Sequence, residues 1–135
     1  MSGLQRFLDA QDGTYAAALA ELKAGHKRTH WMWFVFPQMR GLGHSSNAQF
    51  YGIASLDEAR AYLAHEVLGP RLRDCTRAVL DVQGTSLEAI LGGVDARKFR
   101  SSMTLFLRAS GDALFREALD RYCDGIEDEA TLALL

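Results

Sequence analysis

Two stretches of this chain concentrate side chains with chemistry to offer: "HKRTHWMWFVFPQMRGLGHSS", residues 26–46, and "DARKFRSSMTLFLR", residues 95–108. The first holds both tryptophans, and no Asp or Glu occurs between Leu22 and Leu56. Lys23, Lys27, Arg28, Arg40 and the nearby histidines therefore create a positive potential that favours anionic ligands, unless acids from elsewhere in the fold cancel it. On a helix through residues 30–36, His30, Trp33 and Phe34 share a face. Trp33 could then stack on a planar ligand while His30 serves as donor or general base. Aromatic residues at helical spacing also build cores, and we assign Trp31, Phe34 and Phe36 to that role. The following loop adds Gln38, Arg40, Gly43 and Ser45. Its glycines allow backbone N–H groups close to an anion, although the GK[ST] ending of a P-loop and the third glycine of a dinucleotide fingerprint are missing. A plain turn explains the loop better than a phosphate cradle does.

In the second stretch Lys98, Ser101 and Ser102 fall at i, i+3 and i+4 of a helix. A lysine beside two hydroxyls suits a phosphate or carboxylate; serines also permit close helix packing. Several chemistries are excluded. No HExxH and no clustered Cys/His spacing suggests a metal, and no GxSxG marks a hydrolase elbow. We expect no cofactor. The acidic run at residues 127–129 is read as solvating the C-terminal turn.

These residues need elements to position them, and the periodicity is helical. Leu4, Phe7 and Leu8 mark a first helix; Tyr15, Leu19 and Leu22 mark a second, closed by Gly25. Ser55 and Glu58 have capping-box spacing, as do Thr85 and Glu88. Pro70 suits the first turn of a helix burying Leu72, Cys75, Val79 and Leu80. Asp95, Asp112 and Asp128 are expected caps of three more helices. "WMWFVF" has strand propensity, but a lone buried strand would leave backbone groups unpaired. We read it as a helix capped by Thr29 and ending before Pro37. The expected fold is all-α, a compact single domain over residues 1–135 with about six to eight short helices.

The 135 residues suffice for a core without disulfides, and the formal charge of −2 argues against nucleic acid as a partner. The longest purely apolar run, Trp31 to Phe36, is too short to cross a bilayer, so no membrane is expected. With no signal-peptide pattern and no CxxC, Cys75 and Cys123 read as reduced thiols of a cytoplasmic protein.

"HWMWFVFPQMRGLG", "EARAYL", "VLGPRL" and "KFRSSMTLF" together resemble the bacterial domain-of-unknown-function family 1810, over nearly the whole chain. The resemblance implies a small all-helical protein and supplies no activity. Its pattern matches His30, Trp31, Trp33, Pro37, Gln38, Gly41, Gly43, Ser45, Tyr51, Lys98, Ser101, Ser102 and Thr104.

The functional expectation is a pocket between the two motifs for a small anionic, nucleotide-like or phosphorylated ligand, serving a hydrolase or glycosyl-transfer enzyme if catalytic. In it Trp33 and Tyr51 supply flat surfaces, and Lys98 and Arg40 meet negative charge. Gln38, Gly43, Ser45, Ser101 and Ser102 orient the ligand, and His30 acts as base. The alternative is a non-catalytic interaction module that presents the acid-free surface to a protein partner.

Overall fold

Capping serines, aspartates and apolar stripes resolve into ten helices in the computed structural model, which describes residues 3–135. They are α1 (Gln5–Gln11), α2 (Tyr15–Lys23), α3 (Met32–Val35), α4 (Ser46–Phe50), α5 (Leu56–Ala64), α6 (Leu68–Asp81), α7 (Leu87–Leu91), α8 (Gly93–Ser110), α9 (Ala113–Tyr122) and α10 (Glu129–Leu134). Among the described residues there is no strand, only one parallel bridge between Met39 and Ile53. The all-α reading stands, with more helices than expected. The helix that periodicity did not announce is α4, whose five residues are too few to write a stripe.

Caps decide several boundaries. Ser55 Oγ accepts from Glu58 N at 3.1 Å, but Glu58 Oε1 takes Ala54 N at 2.8 Å rather than closing a reciprocal box on Ser55. Ser86, not Thr85, caps α7 through Ala89 N. Asp112 and Asp128 cap α9 and α10 as expected. Asp95 does not cap: α8 starts at Gly93, which leaves the Asp95 carboxylate in its first turn and free to meet lysines.

The apolar faces converge on one cluster running from Leu4 to Leu119. The long α8 is its spine and packs against α5, α7, α9 and α10. Phe99 meets Phe36 edge-on at 5.0 Å, and Phe106 lies between Tyr62 and Phe115 at 5.4 and 6.0 Å. Tyr62 is fully buried, and its hydroxyl accepts from Gln11 Nε2 at 3.2 Å. Tyr62→Phe is expected to lower stability by ~1 kcal/mol, the net worth of one buried hydrogen bond, read as a shifted urea midpoint. No helix among the described residues is long and apolar enough to cross a membrane.

Candidate functional site

The tryptophan segment is tied down by one carboxylate. Glu21, on α2, accepts Arg28 N at 2.7 Å, Thr29 N at 3.0 Å, Thr29 Oγ1 at 2.7 Å and Trp31 Nε1 at 3.0 Å. Thr29 is thereby engaged with Glu21 instead of capping a helix, and α3 begins only at Met32. Trp31 and Phe36 are buried, as expected of core residues, whereas Phe34 is half-buried and faces Tyr51 with ring centroids 5.5 Å apart.

After Pro37 the chain turns back on itself. Arg40 N donates to Ile53 O and Ile53 N to Gln38 O, each at 2.8 Å, so residues 40–53 form a closed excursion containing α4. Ser45 Oγ caps α4 by accepting Ala48 N at 3.1 Å. Arg40 fastens the excursion by donating to Gln49 O at 3.1 Å and Gly52 O at 3.0 Å.

Across from this loop lies α8. Lys98 Nζ sits 3.8 Å from the Trp33 ring centroid and 3.5 Å from Asp95 Oδ1. Asp95 Oδ2 also binds Lys27 at 2.9 Å, and Lys27 in turn covers Trp31 at 5.1 Å. Two lysines thus share one carboxylate, each over a tryptophan face, a geometry that benefits from cation–π attraction where water is partly excluded. One face of the Trp33 ring, which the sequence offered for stacking, is occupied by Lys98.

A cavity of about 320 Å³ opens between these walls. Trp33, Gln38, Gly43 and Tyr51 line it from one side, Lys98 and Ser101 from the other. Four expected members are elsewhere. His30 is exposed and outside the cavity, because the helix that would have placed it beside Trp33 starts two residues later. Arg40 has turned its guanidinium to backbone carbonyls, and Ser45 is a helix cap. Ser102 is fully buried in α8, and its Oγ has no hydrogen-bond partner among the described residues.

The cavity also contains Arg97 and Asp128, which were not foreseen as site residues. Arg97 adjoins Lys98 within the second motif, a signal that was open to reading. Asp128 carried no such signal, being remote in sequence and read as part of a solvated turn. It reaches the wall because α8 grips the preceding segment: Arg100 donates to Ile126 O at 2.9 Å and Glu127 O at 3.1 Å. Arg108 binds the Glu127 carboxylate through both its oxygens at 2.7 and 2.9 Å. Thr104 Oγ1 accepts Asp128 N at 2.9 Å. Asp128 Oδ2 then takes Ser101 Oγ at 3.1 Å, Thr131 N at 3.0 Å and Thr131 Oγ1 at 2.6 Å. Among the described residues, no group of His, Cys, Asp and Glu could hold a metal ion.

The acid-free segment is therefore only partly unanswered. Glu21 and Asp95, both outside it, take up the Arg28–Thr29 backbone and Lys27.

No curated protein matches the chain. Among solved structures it is similar to the conserved hypothetical protein Rv1873 from Mycobacterium tuberculosis. The two are 55% identical with a TM-score of 0.96, over 98% of this chain and 95% of that one. The family described as "Protein of unknown function (DUF1810)" matches residues 1–135, the whole length that carries both wall-forming motifs, and to that family the chain belongs.

Proposed function

We propose that the cavity between the tryptophan segment with its following excursion and α8 binds a small anionic ligand of the nucleotide or sugar-phosphate kind. The observation that carries this reading is the meeting of Lys98 and Arg97 with Trp33, Tyr51 and Gln38 around one opening. Its volume, about 320 Å³, lies at the small end of the ~300–1,000 Å³ range of ligand sites. Lysine and arginine supply charge, the aromatic walls exclude water, and the Gln38 amide can orient a polar group. His30 stands apart from this wall, so the reading is one of binding, with no proton-transfer role assigned to it.

Trp33 provides the test, since a ligand that engages Lys98 disturbs the cation resting on its ring. Adenosine 5′-monophosphate and ribose 5-phosphate should change tryptophan emission saturably, and Trp33→Phe should remove the response although Trp31 remains. Lys98→Ala should weaken binding at least ~10-fold, the loss of one charge-assisted contact. No change in emission at millimolar concentrations of either compound would overturn the proposal.

A further inference from the structure

Within the ligand class just proposed, on which this inference rests, we propose that Asp128 selects molecules carrying sugar hydroxyls beside their phosphate. Asp128 lines the cavity together with Arg97 and Lys98. Its Oδ2 is filled by Ser101 and Thr131, whereas Oδ1 accepts from none of the described residues. An ionised carboxylate is an acceptor only, so the group that answers Oδ1 must bring its own hydrogens.

Charge argues the same way. Lys27, Arg97 and Lys98 are three cations set against two carboxylates, Asp95 and Asp128. The local sum is one positive charge. A bare phosphate gains little from so small an excess and meets repulsion from Asp128. A phosphorylated sugar can place its anion at Arg97 and Lys98 while its hydroxyls donate to Asp128, which turns the repulsion into a contact.

Asp128 is also held ready. Its backbone N–H is bonded to Thr104, and the two preceding carbonyls are clamped by Arg100. An acceptor fixed before the ligand arrives loses little conformational freedom on binding.

Methyl phosphate and ribose 5-phosphate share a phosphomonoester and differ in the hydroxyl-bearing sugar, so the change in their ratio when Asp128 is altered reads the selection. The wild-type protein should bind ribose 5-phosphate at least ~10-fold more tightly than methyl phosphate, the usual worth of hydrogen bonds to a charged partner. In Asp128→Asn the ratio should fall to within about twofold, because asparagine keeps the helix cap and loses the charge. Should that variant not fold, Asp128→Ser also preserves a capping oxygen and gives the same comparison. Equal binding of the two esters by the wild type, or an unchanged ratio in the variant, would overturn the inference while leaving the anion site standing. Failure of both esters and of adenosine 5′-monophosphate to bind would end the site proposal and this inference with it.

Discussion

Glu21→Ala should destabilise the protein by about 2 kcal/mol and make the remaining stability less sensitive to acid. The carboxylate accepts from four donors on residues 28, 29 and 31. The backbone donors near solvent can turn to water once it is gone, but Trp31 is buried and its Nε1–H has less access. One poorly satisfied buried donor and three weakened surface bonds give the ~2 kcal/mol figure. Desolvation by itself raises the Glu21 carboxyl; the hydrogen bonds from Arg28, Thr29 and Trp31 outweigh it and hold the group down at about 2 instead of 4.5.

The sign of the pH effect follows. A carboxyl depressed in the folded state binds its proton more readily when unfolded. Its stabilisation is complete above about 4.5 and is lost as pH falls toward about 2. Urea denaturation of wild type and Glu21→Ala at pH 7 and at pH 3 should show the gap between them narrowing at the lower pH. An equal gap at both would show that the carboxylate charge is not what these donors recognise. Because the segment leads straight into α3, Glu21→Ala should also blunt the Trp33 response to ligand.

Gly52→Ala should be the most damaging small change at the site, costing about 3 kcal/mol and lowering the melting temperature by ~10 °C. The added carbon would lie 2.7 Å from Ala48 O, Arg40 Cα and Arg40 Cβ. Two of those atoms are backbone, and both strands of chain are pinned. Gly52 O accepts from Arg6 at 2.9 Å and Arg40 at 3.0 Å, and Ile53 is bonded to Gln38 and Arg40. Relief of the clash must therefore spread the excursion that carries Ala48 and Tyr51 into the cavity and strain its closure on Gln38. Binding of ribose 5-phosphate should be lost along with stability. Gly93→Ala is the control. Its Cβ would meet nothing within 4 Å, and the residue opens α8. A circular-dichroism melt within a degree or two of wild type is expected there.

The parts of this structure that were legible in advance share one property: their cause is local. The stripes of α2, α6, α8 and α9 repeat often enough to declare a helix, and Ser55, Asp112 and Asp128 each cap through a side chain two or three residues from its partner. Where the local signal was brief, the reading slipped. "WMWFVF" is helical for only four residues because Glu21 draws Thr29 and Trp31 out of the turn that would have begun earlier. That displacement is what separates His30 from Trp33. α4, five residues capped by Ser45, follows the glycine loop and was given no element at all.

By itself, then, the sequence determined the helical class, most of the long helices and the two motifs that supply the cavity wall, since periodicity and capping act within a few residues. Tertiary structure alone decided which cations stay available and which acid joins them. Arg40 was taken by carbonyls nine to twelve residues away, Lys27 by Asp95, and Asp128 was carried to Ser101 by the clamps of Arg100, Arg108 and Thr104. Charge and hydrogen bonding act through space, and no spacing along the chain encodes a partner that only folding brings near.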